Sequence, residues 1–389
     1  MKNIIYLMAV ILLLFGFNCK NAKHEEQPSI TEEVIDGVRV VHNLQNNRFK
    51  PSELEVDLTI GVNEGDENYM LLDPKDIDSD SLGNIYIVES ANGTIRKFDR
   101  DGKFVSSIGR KGQGPGEFLE LHSIEINNKD EIYAFDSNQR KIDVFNPAGE
   151  LLKTIRMTRV RVLDFALDEN GDIYIGQEKY RETEEQRRRE YVVSRFYPEK
   201  NLDVDIYSKR PQRRETIIIK KKRGELRISR PLYVRWSIGP NNMIYVEGIG
   251  NYEIEAYSAA KKIMFKFDRV LMTGQKEALT KQEYIDGFSR RTIVPGESGR
   301  SINIYPLFRS ISIDNQGRVW VALMTSQSYV SSQKASIFDV FSSEGMYLFT
   351  TIIDLNIRSK LLFKNDHVYA LVHDESEFPK AVRFHIEEN

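Results

Sequence analysis

The chain has 389 residues, a formal net charge of −3, 40% hydrophobic residues and 10% aromatics. That balance suits a protein with a sizeable packed core and gives no global electrostatic pull toward nucleic acid. Cys19 is the single cysteine, which excludes an intrachain disulfide and any cysteine-based metal or redox motif.

Residues 1–18 have the layout of a secretory signal peptide, with Lys2 followed by an apolar run over residues 4–17. The run falls short of the roughly twenty residues that a membrane-spanning helix needs. It stops at Cys19, and residues 20–28 (KNAKHEEQP) form a polar tether. A lone cysteine directly after an apolar leader resembles a bacterial lipoprotein signal, which implies lipidation at Cys19 and a membrane partner reached through the N-terminal lipid. Each buried acyl methylene contributes about 0.8 kcal/mol, so several chains anchor durably. Ordinary secretion with an incidental cysteine is the alternative; on either reading the mature protein leaves the cytoplasm for the cell envelope. Residues 19–53 are then tether and lead-in, with residues 29–53 crossing an outer surface.

From residue 54 onward one unit recurs. An alternating apolar run, a polar turn, a strand with an aromatic, a third strand, a second turn and a fourth strand follow one another. The aromatics of the second strands are Tyr86, Tyr133, Tyr174, Tyr245, Trp320 and Tyr369. Upstream of them lie Ile77/Ser79, Ile124/Ile126, Phe165/Leu167, Trp236/Ile238, Ile311/Ile313 and the weaker Leu362. Gly83, Gly171 and Gly317, or Asn and Asp in the other copies, fill the turns, where positive φ is tolerated. Four short strands in about forty residues, repeated round a ring, predict an all-β, six-bladed β-propeller. The sixth copy ends after its third strand. Residues 54–61 (LEVDLTIG) align with the fourth strand of the first copy and are expected to close the ring against residues 382–386.

These repeats (PKDIDSDSLGNIYIVES, then IRKFDRDGKFVSSIG) resemble NHL repeats, and the whole is similar to six-bladed propeller lipoproteins of bacterial envelopes. The glycine-rich GRKGQGPGEF at residues 109–118 fits that family's connector between blades. It lacks a P-loop lysine and a following helix, so an inter-blade turn is preferred to phosphate binding.

The aromatics are spaced by 47, 41, 71, 75 and 49 residues, so two gaps carry inserts, at about residues 178–232 and 270–307. Long loops on a rigid ring are where specificity is usually placed. Residues 280–290 (TKQEYIDGFSR) carry a capping-box pattern for a short helix. The first insert is basic, with 18 Lys and Arg against 9 Asp and Glu over residues 179–235. Its clusters are Arg187, Arg188 and Arg189, then Arg213 and Arg214, then Lys220, Lys221, Lys222 and Arg223. Such a field attracts an acidic glycan, an anionic lipid or an acidic protein, nucleic acid being disfavoured in the envelope; a solvated charged face is the alternative. Deleting residues 182–228 is expected to spare the fold.

A second candidate set opens the innermost strands: Asp76, Asp78, Glu125, Asp164 and Arg235, with His122 beside them. These alternate with core positions and converge on one mouth of the channel. Converging carboxylates can hold Ca²⁺, or can be the polar wall of a hydrated channel. No histidine pair has zinc spacing, and no G-x-S-x-G nucleophile is present. The reading with most support is a non-enzymatic, envelope-anchored binding scaffold without a cofactor. The alternative is a metal-dependent hydrolase or lyase at the channel mouth, a mechanism known among NHL-type propellers.

Overall fold

The computed structural model describes residues 30–44, 48–157, 161–182, 187–209, 216–221, 224–229, 234–248, 252–269, 308–323 and 335–386. Within them the chain forms six antiparallel blades arranged in a ring. In each, four positions from the channel outward are called strands a to d. Blade 1 runs Pro74–Ser79, Ile85–Glu89, Thr94–Phe98 and Phe104–Ile108. Blades 2 to 5 repeat that order, with a strands at Leu121–Ile126, Arg161–Leu167, Trp236–Gly239 and Phe308–Ile313. Each a strand packs beside the a strand of the next blade, and blade 6 returns to blade 1.

The expected closure is present. Leu54–Ile60 pairs antiparallel with Pro379–Ile386, from Leu54 opposite Ile386 to Ile60 opposite Ala381, and so supplies strand d of blade 6. Strand a of that blade is split into Asn356–Ile357 and Leu362–Lys364, both paired with His367–His373.

The repeat signature has a physical origin in the a–b turn. Asp80 accepts hydrogen bonds from the Leu82 and Asn84 amides (3.0 and 2.9 Å) and from the Tyr86 hydroxyl (2.9 Å). Asp168 does the same for Asn170, Asp172 and Tyr174. Asp314 does so for Gln316, Arg318 and the Trp320 indole. One carboxylate therefore caps the turn and satisfies the buried polar tip of the aromatic that follows. Six apolar clusters, one between each pair of adjacent blades, make up the core of the described residues.

The lead-in is more ordered than a surface crossing requires. Ile30–Ile35 and Val38–Asn43 form a hairpin, and Val38–Asn43 runs parallel to Ile263–Arg269, which makes blade 4 a six-stranded sheet. Asn43 donates to the Asp268 and Gly345 carbonyls (2.8 and 2.9 Å) and accepts from the Tyr347 amide (2.7 Å), tying this hairpin to blade 5.

The first insert corrects the sequence reading. Part of its extra length is a lengthened b–c hairpin of blade 3, Ile173–Glu182 against Arg187–Tyr197, followed by Leu202–Lys209 as strand d. Tyr191, Val192, Val193, Phe196, Ile206 and Tyr207 are buried there. Deleting residues 182–228 would thus remove half a blade. Only Thr216–Lys221 and Gly224–Ser229, a two-stranded hairpin paired with itself, stand apart. The second insert, with its expected helix at residues 280–290, lies outside the described residues, as do Cys19 and the leader.

The glycine-rich segment is an inter-blade turn. Its carbonyls at Gly114 and Glu117 accept from the buried Lys141 ammonium (2.9 and 2.8 Å), which also pairs with Asp143 (2.7 Å). Gly116 donates its amide to the same Asp143 carboxylate (2.9 Å). Connector and blade 2 are therefore locked by one buried ion pair rather than by a ligand.

Candidate site at the channel mouth

The predicted acidic residues do line the channel, but most are committed to neighbouring blades. Asp76 and Asp78 of blade 1 accept from the Ile124 and Ile126 amides of blade 2, at 3.1 and 2.6 Å. Lys364 of blade 6 donates to Asp78 (2.8 Å) and to the Ile126 carbonyl (3.0 Å). Across the channel, Lys360 of blade 6 donates to Glu125 of blade 2 (3.0 Å). Both lysines escaped the sequence reading because the split a strand of blade 6 hides the alternation that marks the others.

Burial governs the ionisation of this cluster. It pushes the Asp76 carboxyl up to about 6, against the opposing pull of Lys360. Burial likewise raises Glu125, helped by Asp78 and Asp76 and opposed by Lys360. The Glu125 charge raises the Lys360 ammonium in return, so the lysine stays protonated. Lys360 is 40% exposed and lines both channel spaces described below. These carboxylates do not form a shared cation cage: no group of three or more His, Cys, Asp or Glu side chains is placed to hold a metal among the described residues.

The open part of the site lies at the mouth, where the a strands begin. A cavity of about 460 Å³ is bounded by His122 of blade 2, Arg161 and Asp164 of blade 3, Arg235 and Trp236 of blade 4, Arg309 and Ser310 of blade 5, and Lys360. It continues toward the channel as a space of about 190 Å³ that reaches Asp76, Ser123 and Glu125. His122, Asp164 and Arg235 are thus brought together, as the sequence suggests. Asp78 lies deeper and acts as a clasp between blades.

Asp164 sits in a polar knot. The Trp236 indole donates to its two oxygens (2.9 and 3.0 Å), and the Tyr191 hydroxyl donates to Oδ1 at 3.4 Å. Burial holds Asp164 above the usual carboxylate range, with Trp236 pulling it down. Gly176, opposite Asp164 in the ladder, makes the knot possible. A Cβ there would collide with the Asp164 and Tyr191 oxygens and stand 2.6 Å from the indole nitrogen. Other blades place Val or another side chain at that register. The glycine was a readable signal, since it interrupts an otherwise apolar b strand (IYIGQE).

Arg235 donates to Glu247 (3.1 Å) and, through Nε, to the Arg309 carbonyl (3.0 Å). Arg309 in turn donates to the Ile357 carbonyl of blade 6 (2.5 Å). His122 meets the edge of Phe135, their ring centres 6.3 Å apart. Two hydroxyls facing these spaces, Ser123 Oγ and Ser310 Oγ, are buried without a hydrogen-bond partner.

Of the basic cluster, Arg187, Arg188 and Arg189 begin strand c of blade 3, at the mouth end, opposite Glu182, Arg181 and Tyr180. Lys220 and Lys221 close the separate hairpin. Arg213, Arg214, Lys222 and Arg223 lie outside the described residues.

Residues 66–232 match the DUF5128 family, described as a 6-bladed beta-propeller. No curated protein matches the sequence. Among solved structures, a Bacteroides vulgatus protein of the DUF4221 family aligns at 10% identity with a TM-score of 0.55, covering 86% of this chain and 98% of its own. A Bacteroides fragilis protein described as exported aligns at 14% identity and a TM-score of 0.50, covering 90% and 100%. Virginiamycin B lyase from Staphylococcus aureus aligns at 12% identity over 86% and 100% of the two chains, with a TM-score of 0.47. No helix among the described residues is long and apolar enough to cross a membrane. Strand register and ring closure show that the chain is an all-β, six-bladed β-propeller, with the DUF5128 match on its first three blades.

Proposed function

We propose that this is an envelope-anchored binding protein, tethered through a lipid at Cys19, whose propeller captures a ligand at the channel mouth. The observation that carries the reading is the contrast between the two ends of the polar lining. Deep in the channel Asp76, Asp78 and Glu125 are spent on holding blades together. At the mouth a cavity of about 460 Å³ is left, with a half-buried tryptophan on its wall. Cavities of that size, walled by aromatics with a few placed polar groups, suit small-ligand binding. The leader supports export, and the basic residues of the first insert offer a second, electrostatic contact for an acidic glycan, an anionic lipid surface or an acidic protein.

The chain contains two tryptophans. Trp320 is buried in blade 5 against Asp314, whereas Trp236 lines the mouth. Replacing Trp320→Tyr restores the arrangement of blades 1 and 3 and leaves Trp236 as the sole reporter. A panel of neutral and charged sugars and dipeptides should include members that change its emission saturably and are recovered intact. Silence across the panel would remove the mouth as a binding site, and chemical conversion of a bound member would replace capture with catalysis.

A further inference from the structure

Four cations stand on the wall of the mouth cavity: Arg161, Arg235, Arg309 and Lys360. Three have a carboxylate partner, namely Glu178 (3.1 Å), Glu247 (3.1 Å) and Glu125 (3.0 Å). Arg309 differs. It donates one hydrogen bond to the Ile357 carbonyl, and among the described residues no carboxylate pairs with it. Burial and the neighbouring Arg358 and Arg235 charges all push its pKa down. A guanidinium does not relieve such an environment by losing its proton, because arginine side chains remain protonated in proteins. A partly buried charge without a carboxylate partner among the described residues is costly, so this position is poised for an incoming anion.

The residue next in sequence gives an independent indication. Ser310 lines the same cavity, and its buried Oγ has no hydrogen-bond partner among the described residues. A buried hydroxyl left unmatched points to a polar group that arrives from outside. A carboxylate fits both features: its two oxygens accept parallel N–H bonds from one guanidinium and retain lone pairs for a hydroxyl. A tetrahedral dianion would bring more negative charge toward Asp164 and Glu120, which share the wall.

Resting on the mouth as the binding site, we infer that its ligand carries a carboxylate, held by Arg309 and Ser310, on a body of sugar or small-acid size that lies beside Trp236. The test uses the purified full chain in detergent with Trp320→Tyr, titrated with glucuronate, succinate, inorganic phosphate and glucose. Saturable quenching or enhancement by glucuronate or succinate is expected, and which of the two binds tighter tells a sugar acid from a simple acid. Phosphate and glucose should bind at least about tenfold more weakly. Arg309→Gln should weaken the acid by about tenfold or more while leaving the unfolding midpoint unchanged or higher, since it removes an unpaired buried charge. Arg309→Lys, which keeps the charge but not the fork, should fall between the two. Glucose binding as tightly as glucuronate, phosphate binding alone, or acid binding unaltered by Arg309→Gln would overturn the carboxylate assignment while the mouth remained a binding site. No response to any of the four probes would overturn it as well, and the wider panel would then judge the mouth itself.

Discussion

Asp76 shows how one side chain can serve architecture at an electrostatic cost. Its carboxyl accepts the Ile124 amide and is pushed by burial to about 6, from an ordinary value of 3.8. A carboxyl raised in this way favours the folded state below its unfolded pKa, and that contribution disappears as pH rises through the folded value. The penalty on the ionised form is about 3 kcal/mol at most. Asp76→Asn keeps an acceptor for Ile124 but cannot ionise. The variant should therefore gain stability relative to the native chain between about pH 4.5 and about pH 7.5. Thermal melts at the two pH values check this, and identical pH profiles would show that the charge carries no cost. Asp76, Glu125 and Asp164 were legible in sequence because they alternate with core residues. Arg309 and Lys360 were not: one follows an insert and the other lies in a broken strand, so neither shows the period of two.

At the level of the strand and hairpin, blade 3 explains why charge and length alone mislead. Its basic clusters suggest a detachable loop, yet Arg187 begins a strand whose later residues, Tyr191 to Val193, are core. The pattern is hard to read because the ladder runs on, from Tyr191 opposite Glu178 to Arg187 opposite Glu182, through residues that are polar in sequence. The separate hairpin, Thr216–Ser229 in register, pairs with no blade among the described residues. Replacing residues 216–229 with a short Gly-Ser linker should leave the far-ultraviolet dichroism and a single unfolding transition in place. It should also lower the salt needed to elute the protein from an immobilised acidic glycan. Deleting residues 182–228 should instead yield insoluble protein. A soluble, cooperatively folded product from that larger deletion would contradict the placement of strands c and d.

For the ring as a whole, six apolar clusters between blades make neighbours depend on one another, and closure makes the dependence circular. Ile60, 2% exposed, sits in the cluster joining blades 6 and 1, with Ile77, Ile85, Phe98 and Leu371. Ile60→Ala should cost about 2–4 kcal/mol, the range for a large-to-small change in a packed core. The loss should shift one cooperative transition in urea rather than split it. Two resolved transitions would show that the blades unfold separately. The circular architecture was legible from residues 54–61, since their match to a fourth strand has meaning only if the sixth blade lacks one. The parallel addition of residues 38–43 to blade 4 was not, because a parallel outer strand leaves no spacing signature in a chain of antiparallel hairpins.

Residues 30–60 run along the outer edges of three blades. They pair with blade 4, touch blade 5 through the Phe49–Thr350 bridge, and finish on blade 6. Residues 38–43 therefore find their partner strand once blade 4 exists, whereas Leu54–Ile60 finds its own only when Pro379–Ile386 has been made. Contacts this distant in sequence slow folding. Once the final strand arrives, the same stretch acts as a belt buckled across the last three blades. Under the anchoring at Cys19 proposed above, a pull on the N-terminus would be borne first by the outer rim, while the mouth keeps its shape.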